Sequence, residues 1–267
     1  MSPRTPASSS TPRVCMITGP TSGLGQAIAL ALAKQRLQLV LVGRSREKLA
    51  DIAARCVALG APEPVCLVAD MAVQADVRRA AAEFLATGLP LHVLLHNAGI
   101  VNQHRRITVD DIEETFAVHY VSSFLLTLLL VEKLVDSKPA MIIHTASDIY
   151  PRGKLDLDDV RAARGFNPLG AYAKSKLALV NMTRMLAERL APHGVSVHAY
   201  NPGMNYTNLG LSNNPGFVRP VADFFWSRIA SPVEDGIGVP VALATGPDLA
   251  ASTGKLYMRG ELAEMTA

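Results

Sequence analysis

The run Val14-Cys-Met-Ile-Thr18-Gly-Pro-Thr-Ser-Gly-Leu-Gly25, followed by Gln26-Ala-Ile-Ala-Leu-Ala-Leu-Ala33, constrains the fold of this chain more than any other stretch. An apolar strand runs into a turn holding Gly19, Gly23 and Gly25, and then into an alanine-rich helix. Glycines at such a turn permit a tight reversal and close backbone approach to a pyrophosphate, which the positive end of a helix dipole favours. The spacing T-G-x-x-x-G-x-G differs from G-x-G-x-x-G, and a glycine loop alone also fits a flexible turn. The strand before it and the helix after it favour a nucleotide site. Thr21, Ser22 and Leu24, set between the glycines, are then further candidate contacts.

Strand and helix signals alternate from there. The pattern predicts strands over 37–42, 65–69, 91–96, 141–145 and 195–199. It predicts helices over 46–59, 73–85, 112–135 with a break near His119, and 169–190. Alternation at this rhythm implies α/β architecture: a single Rossmann-type doubly wound parallel sheet flanked by helices. Ligands bind such sheets outside the carboxyl ends of the strands, where Thr18, Gly43, Asp70, Asn97, Ser147 and Asn201 fall. One domain over 14–267 follows a polar tail over 1–13, and no internal repeat interrupts it.

Hydrophobic residues make up 49% and charged residues 18% of the 267, which fits a globular enzyme rather than a disordered or fibrous chain. A formal charge of +3, with no basic run interleaved with aromatics, gives no argument for nucleic acid. Cys15, Cys56 and Cys66 lie in or beside apolar elements and read as buried thiols in a reducing compartment. The tail shows no apolar signal region. The greasy stretch 121–135 is about fifteen residues long and reads as a core helix too short to span a bilayer. A cytoplasmic protein without a transmembrane segment is expected.

Tyr172 and Lys176 stand four residues apart in the predicted helix 169–190, and so share one face. A nearby positive charge favours phenolate, so the tyrosine is expected to titrate below its usual ~10. A tyrosine tuned that way serves as general acid or base for an alcohol or carbonyl oxygen. Taken alone, Y-x-x-x-K also arises by chance on an amphipathic helix.

Together, and in this order, Thr18-Gly-x-x-x-Gly-x-Gly25, Asn97-Ala98-Gly99, Ser147, Tyr172-x-x-x-Lys176 and Pro202-Gly203 resemble the short-chain dehydrogenase/reductase family, from Val14 to about Tyr257. The stretch 147–207, with its insert Gly153-Lys-Leu-Asp-Leu-Asp-Asp159 and Ala171-Tyr-Ala-Lys-Ser-Lys-Leu-Ala178, resembles the retinol-dehydrogenase-like branch. The resemblance implies an oxidoreductase in which Tyr172 exchanges the proton and Ser147 orients the substrate oxygen. Lys176 would lower the tyrosine pKa and hold the nicotinamide ribose. Asp70, with Met71 beside it, would meet the adenine amino group; a helix N-cap is compatible with that role. Asn97 would chiefly fix the sheet while its neighbours pass the cofactor ribose; Pro202 and Gly203 would shape the nicotinamide wall, the Asn205 backbone would still serve there, and Thr207 would hydrogen-bond the carboxamide or a phosphate.

Two positions depart from the family pattern. His119 aligns with its fourth catalytic residue, an asparagine supporting a water relay; the alternative is a core histidine. Asn205 replaces an apolar residue. The strand 37–42 ends in Gly43-Arg44-Ser45-Arg46 without a carboxylate, so NADP(H) is expected as the preferred cofactor, with NAD(H) the alternative. No metal-ligand spacing appears among the histidines.

The window 208–231 carries Phe217, Phe224, Phe225 and Trp226, and reads as an apolar lid or as a helix pair packed on its own domain. A small hydrophobic carbonyl or alcohol substrate is expected. Excess apolar residues on the helices over 112–135 and 171–190 suggest a homodimer or homotetramer. The alternative function is a catalytically weak redox sensor or scaffold that binds the cofactor, which the intact Ser147, Tyr172 and Lys176 oppose.

Overall fold

β1 (Val14–Thr18) lies inside the sheet, with β2 (Gln38–Gly43) on one side and β4 (Val93–His96) on the other, all parallel. The computed structural model describes residues 12–203, 233–246, 252–258 and 260–265. β3 (Val65–Val68) pairs outside β2, and β5 (Ala140–Thr145) and β6 (Val195–Asn201) extend the sheet beyond β4. β7 (Lys255–Met258) adds in parallel and β8 (Glu261–Ala263) closes the edge antiparallel, giving the order β3-β2-β1-β4-β5-β6-β7-β8. Strand order reverses beside β1, and that reversal opens the crevice at the carboxyl ends.

Side chains alternate between two buried faces, as a period of two requires. Met16, Val40, Leu94 and Ile142 pack with α3 (Gln74–Ala86), α5 (Ser122–Asp136) and α6 (Pro168–Leu190). Ile17, Leu41, Leu95 and Ile143 pack with α1 (Gly23–Lys34), α2 (Arg46–Ala58) and α7 (Val233–Thr245). Both faces are covered, which explains why the strands read as continuous apolar runs.

The expected break near His119 is a π turn over Ala117–Val121, joining α4 (Glu114–Phe116) to α5 without interruption. The expectation of a stretch too short to span a bilayer is therefore corrected. Glu114–Asp136 is one apolar helix of 23 residues, long enough by length and composition to cross a membrane. Its Leu126, Leu130 and Leu134 face the core beneath α3, whereas Leu128 is exposed.

Two further expectations change. Cys66 is exposed, because β3 is an edge strand paired only to β2 among the described residues, whereas Cys15 and Cys56 are buried. The N-cap of α3 is Val73, and Asp70 instead closes a turn by accepting the Ala72 amide at 2.9 Å. The sequence pattern did not mark α7, β7 or β8. Residues 1–11 of the tail and the lid window 208–231 lie outside the described residues.

Candidate active site

Gly19 sits at φ +70, and a Cβ there would lie 2.9 Å from the Ala98 Cα. A Cβ at Gly25 would overlap the Gly19 carbonyl and the Asn97 amide, so α1 can start this close to β4 only with glycine. Thr18 and Asn97 lock the turn from below. The buried Thr18 Oγ1 accepts the Asn97 and Ala98 amides at 3.0 Å each, and Asn97 Nδ2 donates to Thr18 O at 3.0 Å and Gly19 O at 3.2 Å. Ser22, the N-cap of α1, makes no side-chain cap bond, which leaves the first-turn amides of a 12-residue helix facing the crevice. Thr21 and Gly23 are half-buried beside it, Ser22 is exposed and Leu24 is buried.

Arg44 is exposed just past β2, and Ser45 caps α2 by accepting the Lys48 amide at 3.3 Å. A Cβ at Gly43 would touch Leu49 and Thr21 at 3.4 and 3.6 Å, so glycine keeps the gap above the turn open. Asp70 is half-buried at the end of β3. The Met71 side chain packs into the core. This donor set suits a dinucleotide, with glycines and first-turn amides for a pyrophosphate.

On the other side of the crevice, β5 delivers Ser147 and α6 delivers Tyr172 and Lys176. Pro168 opens α6 and Asn167 caps it by accepting the Gly170 amide at 3.0 Å, which fixes the phase of the first turn. The Ser147 hydroxyl stands close enough to the Tyr172 phenol to pull its pKa down, and donates to Asp148 Oδ1 at 3.4 Å. Lys176 is 4% exposed; its Nζ donates to Thr145 O at 2.7 Å and lies 5.5 Å from the Tyr172 ring centroid. Gly203, at φ +79, follows β6 with Pro202, and its amide donates to Asn201 Oδ1 at 3.1 Å. Asn205 and Thr207 lie outside the described residues.

The expected lowering of the Tyr172 pKa is corrected. Burial pushes the phenol up to about 12, against a smaller downward pull from the Ser147 hydrogen bond, and the Asp148 charge adds to the rise. Burial likewise pushes Lys176 down to about 7, which weakens the charge meant to stabilise phenolate. The ammonium donates to Thr145 O and lies over the tyrosine ring, and desolvation of the phenol wins.

His119 is buried behind this pair. Its Nε2 accepts the Ile100 amide at 2.9 Å and its Nδ1 meets Ser175 Oγ at 2.7 Å. Burial, then the nearby Lys176 charge, hold it well below the ordinary histidine range. Sequence reasoning missed Thr145, whose carbonyl holds the lysine, and Ser175. It also missed the close approach of Gly153 to α6, where a Cβ would stand 2.5 Å from Ala173 O. Only the glycine in the insert offered a signal for any of these.

The description short chain dehydrogenase matches residues 13–216. Human retinol dehydrogenase 14 is 32% identical over 261 residues, covering 92% of this chain and 77% of its own length. Mouse polyprenol dehydrogenase is 33% identical, covering 93% of this chain and 76% of its own. Among solved structures, a short chain dehydrogenase from Salmonella enterica serovar Typhi superposes with a TM-score of 0.74 at 23% identity, over 93% of this chain and 96% of that one, and shares the fold. A crevice built on glycines, with a serine, tyrosine and lysine converging opposite, is thus found in a chain whose sequence matches on both halves. The chain belongs to the short chain dehydrogenase/reductase family and is an NAD(P)-dependent oxidoreductase of CH–OH and C=O groups.

Proposed function

We propose that this protein interconverts an apolar carbonyl compound and its alcohol with NADP(H), with Tyr172 as the proton donor and acceptor. The observation that carries the reading is the convergence of Ser147, Tyr172 and Lys176 at one end of β5 and α6. The glycine turn, the open N-terminus of α1 and Arg44 would hold the dinucleotide, which supplies the hydride when bound. Ser147 would donate a hydrogen bond to the substrate oxygen and aim it at the phenol. Tyr172 would pass its proton to that oxygen as negative charge grows there. With a pKa near 12, Tyr172 keeps its proton at neutral pH, the state that carbonyl reduction consumes. Lys176, beside the ring, would offset the charge left on the phenolate.

The relatives named for retinol and polyprenol support long, apolar alcohols or their aldehydes as the substrate class. Arg44, at a helix start where the dipole disfavours a cation, supports a phosphate partner and hence NADPH. The test is oxidation of NADPH with a panel of apolar aldehydes and ketones, isoprenoid ones included, against polar sugars. Tyr172→Phe should keep cofactor binding and lose roughly 10²–10⁴-fold in turnover. Near-normal turnover in that variant would remove Tyr172 from the chemistry.

A further inference from the structure

We propose that His119 and Ser175 are positioning residues, which hold Tyr172 in register through a one-way hydrogen-bond chain from the loop after β4; this rests on the reading of Tyr172 as the proton donor. The chain can be traced donor by donor. The Ile100 amide can only donate, so the His119 Nε2 that receives it at 2.9 Å carries a lone pair. A neutral imidazole with that lone pair bears its hydrogen on Nδ1, which therefore donates to Ser175 Oγ at 2.7 Å. The Ser175 hydroxyl then donates to the backbone carbonyl of Tyr172, also at 2.7 Å. His119 and Ser175 each give one hydrogen and take one, and the direction cannot reverse because an amide stands at the head and a carbonyl at the foot.

His119 and Ser175 are 1% and 0% exposed, so water does not compete for these bonds. The His119 ring also stands edge-on to the Tyr172 ring, 84° between planes and 5.4 Å between centroids. The π turn is what aims the imidazole between the loop and α6. Both ring nitrogens are taken, and the imidazolium would place a second hydrogen against the Ile100 N–H. The ring is thus fixed as a neutral strut, and its nitrogens pass no proton between Lys176 and solvent.

The test has two parts. Imidazole ¹⁵N spectra of the unaltered protein at neutral pH should show His119 with Nδ1 protonated and Nε2 bare; hydrogen on Nε2 would overturn the chain. Ser175→Ala should lower kcat about 10- to 100-fold, the scale of a misplaced reacting group, while NADPH affinity stays within about threefold. Wild-type turnover in Ser175→Ala would overturn the positioning role. Tyr172→Phe, measured alongside, separates the two readings: retained turnover there removes the proton-donor assignment and leaves the tautomer result standing.

Discussion

Gly153→Ala should damage the site from the outside of it. Gly153 has ordinary extended backbone, φ −68 and ψ 150, so alanine meets no conformational penalty there and the effect is steric alone. The new Cβ would stand 2.5 Å from Ala173 O, 2.8 Å from Ala173 C and 2.9 Å from Leu177 Cβ. Carbon contacts settle at about 3.5–4.0 Å, so the loop or the helix must give by roughly 1 Å. Two of those three atoms are α6 backbone, anchored in the core, and the loop moves instead. Gly153 is tied to Ser147 through one short turn: its amide donates to Tyr150 O at 3.0 Å, and the Tyr150 amide to Ser147 O at 3.2 Å. Overpacking of this kind costs about 1–3 kcal/mol. At about 2–4 °C per kcal/mol for a domain of this size, the melting point should fall roughly 2–12 °C. Displacement of the Ser147 hydroxyl should cost about 10- to 100-fold in kcat. Differential scanning fluorimetry and NADPH-linked turnover read the two effects. A variant that melts and turns over like the parent would refute the claim that this contact sets the position of Ser147.

Arg44→Ala removes one charge-assisted contact worth about 1.5–3 kcal/mol and should weaken NADPH roughly 10- to 150-fold while NADH changes little; equal losses in a fluorescence titration would show that no phosphate meets Arg44. Thr18→Val leaves the Asn97 and Ala98 amides without their acceptor, at about 1–3 kcal/mol each, so its urea midpoint should drop markedly; an unchanged midpoint would mean the turn is held elsewhere. Burial keeps His96, His119 and His144 neutral in the fold, with His96 pushed down to about 3, while the unfolded chain protonates them near ~6.5. Their contribution is therefore complete above that pH and lost as pH falls below it, by about 1.4 kcal/mol per unit per histidine, and a urea midpoint identical at pH 7 and pH 5 would contradict this.

The parts legible in the sequence were those where one residue type has few alternatives. The turn of Gly19, Gly23 and Gly25 admitted little but a close helix start. The α6 pattern placed Tyr172 and Lys176 on one face within a residue of the observed start. The break near His119 was visible, but a π turn differs from other breaks only by where its carbonyls bond, which side-chain patterns do not encode. α7 was hidden because Gly236, Gly238 and Pro240 fall inside it, and β7 and β8 are too short to show a period. The Tyr172 pKa was misjudged because spacing reveals the neighbouring charge but not the burial that outweighs it. Ser175 escaped notice because its partners come from the π turn and from its own helix, 56 and 3 residues away.

The π turn over Ala117–Val121 fits one extra residue into a helix that would otherwise run evenly from Glu114 to Asp136. Such an insertion turns everything before it by about 100° relative to everything after it, since an α-helix advances 3.6 residues per turn. A chain shortened by one residue here could regain regular helix and pack its leucines as before. It would then carry Thr115 and Phe116 to a different side and swing residue 119 away from Ile100. Chain length at this point is therefore part of the site's specification, as binding as the identity of any side chain in it.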